Sequence, residues 1–365
     1  MKKIRVLVVD DSALMRKLIP QMLATDPCIE VVGTAIDGNF CLKKIEDLKP
    51  NVVTLDLQMP GMNGIDTLKE IMRRHTLPVI VVSSHSTEGA SITFKALALG
   101  AFDFVAKPQD SSMHMEATAK ALIAKIKAAV ESRVLQPALR PGVKNPPQKL
   151  SPAQPTAPES LVAIGISTGG PQALEFLLTQ LPSDFPASLV IVQHMPEGFT
   201  EMFARRLDEL SPLRVKEAQS GDALHAGRVL ICPGNRHIKV KRRAAFGDVA
   251  ILSEEAPVNG HRPSVDVLFR SVAEAFNRQA IAVLMTGMGE DGAEGLGAVQ
   301  KSGGITIAQS EPSCVVYGMP KAAIERGYAT RIVSLEGLSA TLQALCGRGD
   351  RNPGGEPDKA WRATP

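Results

Sequence analysis

Ala163-Ile164-Gly165-Ile166-Ser167-Thr168-Gly169-Gly170-Pro171 is an apolar run that meets a serine, then a tight glycine-rich turn, then a helix-like stretch. A strand feeding such a turn leaves the Ser167 hydroxyl at the carboxyl edge of a parallel sheet. The helix beyond it aims unpaired N–H groups at any oxyanion formed there. Pro171 suits the first helical turn, where a missing N–H costs nothing. Taken alone, the stretch suits phosphate binding or plain helix capping equally well.

Two later segments repeat the pattern. Ala187-Ser188-Leu189-Val190-Ile191-Val192-Gln193-His194 is an apolar strand ending in a histidine, with Pro196 and a helical pattern beyond it. Ile281-Ala282-Val283-Leu284-Met285-Thr286-Gly287 is another, leading into Met288-Gly289-Glu290-Asp291-Gly292. In open parallel sheets the ligand site lies outside the carboxyl ends of the strands, so the three residues can converge. Each alone reads as a packing residue, a cap or a helix-dipole partner. Three in one sheet favour a triad in which His194 takes the Ser167 proton and Asp291 orients the imidazole. Backbone N–H groups of the turn at Thr168, Gly169 and Gly170 are the expected oxyanion donors. Met288 either lines the pocket or packs. This chemistry needs no cofactor. The order Ser, His, Asp is not that of the α/β-hydrolases, which run Ser, Asp/Glu, His.

The first third of the chain carries a second pattern. Ile4-Arg5-Val6-Leu7-Val8-Val9 ends in Asp10-Asp11, and Asn51-Val52-Val53-Thr54-Leu55 ends in Asp56. Pro78-Val79-Ile80-Val81-Val82 ends in Ser83-Ser84, and Phe104-Val105-Ala106 leads to Lys107-Pro108. Three strand-end acids make a hard oxygen site that suits Mg²⁺. Ser83 and Lys107 suit the oxygens of a phosphoryl group carried on the central acid.

Strands alternate with helix-patterned segments in both halves, so the expected class is α/β with two doubly wound parallel sheets. Residues 213–252 differ: short strands separated by turn residues suggest an antiparallel hairpin insertion or edge. Between the halves, Gln136 to Ser160 is rich in proline and poor in large apolar residues, which suits an extended linker. The expected divisions are 1–130, a linker at 131–159, a second domain at 160–346, and a polar, disordered tail at 347–365.

The 365 residues suffice for two cores, and a net charge of +3 gives no nucleic-acid footprint. The five cysteines (Cys28, Cys41, Cys232, Cys314, Cys346) lack metal or redox spacing and suit reduced thiols in a cytoplasmic protein. Met1-Lys2-Lys3 resembles the start of a signal peptide, but Asp10-Asp11 interrupts the apolar run too early. No stretch reaches transmembrane length, so no membrane insertion is expected. His75, His85, His114, His225, His237 and His261 lie apart in sequence and receive no role.

Roughly residues 3–125 resemble a response-regulator receiver domain, with a flavodoxin-like sheet. The resemblance rests on Val9-Asp10-Asp11-Ser12, Leu55-Asp56-Leu57-Gln58-Met59-Pro60-Gly61-Met62-Asn63-Gly64, Ser83-Ser84 and Lys107-Pro108. It implies that Asp56 accepts phosphate from a histidine kinase. It also implies Mg²⁺ at Asp11 and Asp56, with Asp10 acting mainly through water and the Gln58 carbonyl completing the set. Ser83 and Lys107 would contact the phosphoryl group, and Phe104 would be the switch aromatic. The region after residue 160 resembles the catalytic domain of the chemotaxis protein-glutamate methylesterases, a Rossmann-like fold. Its matches are Gly165 to Gly170, Gln193-His194-Met195-Pro196, Arg262-Pro263-Ser264-Val265-Asp266, Thr286 to Ala293 and Tyr317-Gly318-Met319-Pro320. Glu290 departs from the small polar residue expected there. The resemblance implies hydrolysis of glutamate methyl esters on chemoreceptors, with release of methanol, and deamidation of receptor glutamines. The alternatives are the same chemistry in another signalling pathway, and a phosphorylation-dependent binding adaptor.

Overall fold

The computed structural model describes residues 3–84, 86–108, 112–132, 158, 160–242 and 247–347. The expected proline-rich linker and polar tail lie almost wholly outside the described residues.

The first half runs β1 (Ile4–Val9), α1 (Ala13–Leu23), β2 (Ile29–Ala35), α2 (Gly38–Leu48), β3 (Val52–Leu55), α3 (Gly64–Arg74), β4 (Val79–Ser83), α4 (Thr87–Ala98), β5 (Asp103–Ala106) and α5 (Ser112–Glu131). Its five strands are all parallel, in the order β2-β1-β3-β4-β5. That is the flavodoxin-like arrangement, and its ligand crevice falls where the order reverses, between β1 and β3. Strands β3, β4 and β5 are buried throughout, as a sheet covered on both faces requires. Ser12, Asp37, Asn63 and Ser86 each accept a backbone N–H three residues on, starting α1, α2, α3 and α4.

The second half runs β6 (Leu161–Ile166), α6 (Gly170–Thr179), β7 (Ser188–Gln193), α7 (Phe199–Leu210), β8 (Arg214–Glu217), β9 (Arg228–Ile231), β10 (His237–Lys241), β11 (Val249–Ser253), α8 (Val265–Phe276), β12 (Ala280–Leu284), α9 (Ala293–Lys301), β13 (Ile305–Gln309), α10 (Met319–Glu325), β14 (Arg331–Val333) and α11 (Leu335–Cys346). Seven parallel strands form one sheet in the order β14-β13-β12-β6-β7-β9-β8. The chain leaves β6 toward β7 and returns to β12 on the other side of β6, which makes the gap between β6 and β12 the switch point.

The antiparallel reading of 213–252 holds only in part. His237–Lys241 and Val249–Ser253 pair antiparallel, but Arg214–Glu217 and Arg228–Ile231 are parallel edge strands of the main sheet. A period-two pattern marks a strand and its buried face but carries no direction. The connection 218–227 returns the chain without a helix, turning at Gly221 (φ 94°) and Gly227 (φ 72°).

The two halves share a core. Buried Phe94, Leu97, Ala101 and Phe104 form one apolar cluster with Phe199 and Phe203. The rings of Phe94 and Phe203 stack at 5.3 Å. Gln172 on α6 donates through Nε2 to the carbonyl oxygen of Ala101 at 3.2 Å and more weakly to that of Leu97 at 3.4 Å. On the other side of the seam, Met288, Val315 and Val316 pack against the cluster that contains Leu122 and Ile126 of α5. Among the described residues no helix is long and apolar enough to cross a membrane.

Candidate functional site

The helices after β6, β7 and β12 start differently from those of the first half. Each begins at a glycine in the left-handed region with no side-chain cap: Gly169 (φ 77°), Gly198 (φ 86°) and Gly292 (φ 92°). Their first N–H groups are therefore not consumed by a serine, threonine or aspartate side chain. At Gly169 a Cβ would lie 2.5 Å from Val315 Cβ, so glycine is required by space as well as by φ.

Ser167, His194 and Asp291 follow β6, β7 and β12, adjacent strands around the switch point. Ser167 N donates to Thr286 O at 3.0 Å, and His194 N donates to Ile166 O at 3.1 Å. A Cβ on Gly287 would come within 2.7 Å of Ser167 Cβ, so the absence of a side chain there lets the loop after β12 close on the serine. His194 Nε2 and Asp291 Oδ2 are 2.9 Å apart. The other ring nitrogen, Nδ1, is buried and has no hydrogen-bond partner among the described residues.

Asp291 is almost fully buried and richly held. Ser264 Oγ donates to its Oδ1 at 2.7 Å, Val265 N to its Oδ2 at 2.7 Å, and Asn259 Nδ2 to its Oδ1 at 3.1 Å. Burial opposes its ionisation, but the hydrogen bond and charge of His194, with Ser264 and Val265, outweigh burial and hold the carboxyl well below the ordinary range. A carboxylate so held stays ionised and keeps the imidazole oriented.

Of the expected oxyanion donors, Gly170 is spent: its N–H donates to Ser167 O at 2.8 Å. Among the described residues the Thr168 and Gly169 amides have no acceptor. Thr168 is fixed through its own carbonyl, which accepts Thr286 Oγ1 at 3.0 Å. Met288 is half-buried at the interdomain seam and lines a cleft of about 780 Å³ with Val315, Tyr317 and residues of α5 such as Ile123 and Lys127. The unusual Glu290 pairs with Arg326 at the surface, outside the triad.

Two histidines that the sequence left without a role belong to this region. The His261 ring stacks on that of His194, with centroids 4.0 Å apart and planes 7° apart. Burial, then the neighbouring His194, pushes the His261 pKa down to about 4, against a smaller upward pull from Asp291. Buried His237 accepts Ser264 N at 3.1 Å and so supports the segment that holds Asp291. Neither contact is visible as a spacing, because each depends on where the loop 254–264 folds back.

At the carboxyl edge of the first sheet, oxygens of Asp10, Asp11 and Asp56 lie within 4.8 Å of one another. Lys107 Nζ reaches Asp56 Oδ2 at 2.8 Å and Asp10 Oδ2 at 3.0 Å. Burial raises Asp10, which Lys107 partly offsets, and the nearby Asp56 raises it again. Burial alone would lower Lys107, but its pairs with Asp56 and Asp10 raise it instead. A crowded, partly buried set of carboxylates with one exposed member, Asp11, fits a divalent cation that keeps several waters. Ser83 Oγ is turned toward Gly89 O at 3.1 Å. Phe104 is buried against Phe199 of the second half.

Comparison with known proteins agrees with both halves. The family model for the response regulator receiver domain matches residues 6–119, and that for CheB methylesterase matches residues 162–342. A protein-glutamate methylesterase/protein-glutamine glutaminase 2 from Koribacter versatilis is 60% identical over 348 residues, covering 93% of this chain and 95% of that protein. A protein-glutamate methylesterase/protein-glutamine glutaminase from Symbiobacterium thermophilum is 45% identical, covering 95% and 98%. The crystal structure of the Thermotoga maritima CheB methylesterase catalytic domain is 43% identical with a TM-score of 0.50, covering 51% of this chain and 98% of that one.

Proposed function

The chain belongs to the family of protein-glutamate methylesterases/protein-glutamine glutaminases that carry a receiver domain, and from that premise we propose that it is a phosphorylation-activated hydrolase of chemoreceptor side chains working through Ser167, His194 and Asp291. The observation that carries the assignment is the buried, unpartnered Nδ1 of His194, whose opposite nitrogen is bound to Asp291 beside the Ser167 turn.

Ser167 Oγ attacks the γ-carbonyl carbon of a glutamyl methyl ester while His194 Nδ1 takes the hydroxyl proton. The N–H groups of Thr168 and Gly169 receive the oxyanion. On collapse the carbon–methoxy bond breaks, and the His194 proton goes to the leaving oxygen, which departs as methanol. Water then attacks the glutamyl-serine ester and gives its proton to His194. The proton returns to Ser167 Oγ as the acyl bond breaks, freeing the glutamic acid, which keeps the second water proton and then gives it up to solvent as the carboxylate forms. With a glutamine the same steps release ammonia. No cofactor takes part in this chemistry.

Residues 1–130 act as the receiver, 131–159 as the linker and 160–346 as the catalytic domain. Asp56 accepts phosphate from a histidine kinase, and Ser83 and Lys107 contact the phosphoryl oxygens. Asp11, Asp56 and the Gln58 carbonyl would hold Mg²⁺, with Asp10 acting mainly through water; when bound, the ion neutralises charge on the phosphoryl group. Phe104 relays the change to the catalytic domain. The protein works in the cytoplasm on the exposed cytoplasmic part of methylated chemoreceptors and needs neither nucleic acid nor membrane insertion. Labelling of Ser167 by a serine-directed covalent probe tests the catalytic reading, and a binding adaptor would show no such labelling.

A further inference from the structure

Asn259 is an exposed turn residue, yet its amide reaches inward to two buried acids. Nδ2 lies 2.8 Å from Asp266 Oδ2 and 3.1 Å from Asp291 Oδ1. Both partners accept, so the end facing them is the NH₂ group, with one hydrogen for each carboxylate. Asp266 is itself committed: its Oδ1 accepts Gly295 N at 2.6 Å near the start of α9. Two carboxylates facing each other in a buried site disfavour each other's ionisation unless a donor sits between them. Burial raises Asp266, the Gly295 N–H partly offsets this, Asp291 raises it further, and Asn259 lowers it.

The backbone explains why an asparagine can stand here. Asn259 (φ 54°) and Gly260 (φ 76°) are both left-handed. Val258 N and His261 O bond at 3.0 Å, and His261 N and Val258 O at 2.9 Å, closing a two-residue hairpin turn. This turn carries both Asn259, on Asp291, and His261, stacked on His194.

We propose that Asn259 is a positioning residue for the reaction: its amide bridges Asp266 and Asp291 and keeps the Asp291 carboxylate aimed at His194. The inference rests on the triad reading given above. It goes beyond that reading in assigning a role to a residue outside the triad that does not touch the substrate.

The test compares Asn259→Gly and Asn259→Asp with the wild type and with Ser167→Ala, using full-length protein, methylated receptor membranes and a small phosphodonor with Mg²⁺. Glycine accepts the left-handed backbone and removes the amide. Aspartate keeps the size and tolerates the same φ, but puts a third carboxylate against the other two. Asn259→Gly is expected to lower kcat about tenfold at unchanged KM, the scale of one hydrogen bond to a charged group. Asn259→Asp is expected to lower kcat further than glycine does, and labelling of Ser167 by a fluorophosphonate should slow in the same order. A purely structural role for the turn predicts the reverse, with aspartate close to wild type and glycine worse. That order, or full activity in both variants, overturns the proposal. Retained activity in Ser167→Ala would instead overturn the triad beneath it.

Discussion

The ring of Phe104, on the last strand of the first sheet, lies 4.7 Å from the ring of Phe199 at the start of α7. Phe199 is five residues beyond His194, so the aromatic expected to respond to phosphate on Asp56 packs directly on the helix that follows the proposed base. Phe94 braces Phe104 edge-on at 6.2 Å, and Lys125 donates to the Phe104 carbonyl at 2.8 Å. An aromatic pair of this kind contributes about 0.5–1.5 kcal/mol beyond its buried area. The contribution of this one contact to the seam is therefore modest, of a size that a change at Asp56 can offset.

Loosening the seam on its α6 side should raise basal activity. Gln172→Ala removes the two hydrogen bonds to Ala101 and Leu97 without opening a large cavity. A loss of about 1 kcal/mol predicts a several-fold rise in methanol release by the unphosphorylated chain. The rate at saturating phosphodonor should stay near that of the wild type. An unchanged basal rate would mean that this contact does not restrain the catalytic domain.

Substitutions in the triad separate chemistry from folding. Ser167→Ala or His194→Ala should reduce methanol release by several orders of magnitude while the thermal midpoint changes little. Asp291→Asn should also cost heavily, with losses on the order of 10⁴ as in serine proteases. Because Ser264 and Val265 lean on its carboxylate, Asp291→Asn should lower stability as well. Near-normal turnover in Ser167→Ala would assign the nucleophile elsewhere.

The His261 stack gives a pH dependence of defined sign. Its folded pKa, near 4, lies below the ordinary 6.5. As pH falls from 6.5 to 4, the unfolded chain takes up a proton that the folded ring refuses, so stability is present above this window and lost through it. Below pH 4 the folded ring is protonated too, and this loss stops growing. His261→Phe keeps a stacked ring without the proton. Its unfolding free energy in urea should therefore fall less than the wild type's between pH 6.5 and 4, by on the order of 1–3 kcal/mol at the acid end. Parallel curves would show that the ring is not the acid-sensitive group.

The parts legible in the sequence are those in which strand ends carry chemistry. Asp10, Asp56, Lys107, Ser167 and His194 sit at the ends of apolar runs, and Asp291 sits in the loop that follows β12; parallel topology brings such positions to one edge. What escaped was set by loops and by direction. His261 and Asn259 reach the site because a left-handed turn folds the loop after β11 back over Asp291, which no residue spacing encodes. Strands β8 and β9 were recognised as strands, but their alternation is the same whether the neighbour runs parallel or antiparallel. The contact between Phe104 and Phe199 joins residues from two domains separated by a proline-rich segment. Each reads from its own periodicity as an ordinary core residue.

Phosphorylation control of the esterase is read from methanol release by methylated receptor membranes, measured with and without a small phosphodonor and Mg²⁺. Three proteins are compared: the full chain, its Asp56→Asn variant and a fragment beginning near Glu159. The phosphodonor is expected to stimulate the full chain, to leave Asp56→Asn at its basal rate, and not to change the fragment, which starts above the unphosphorylated chain. Stimulation that survives in Asp56→Asn, or that appears in the fragment, would contradict this control.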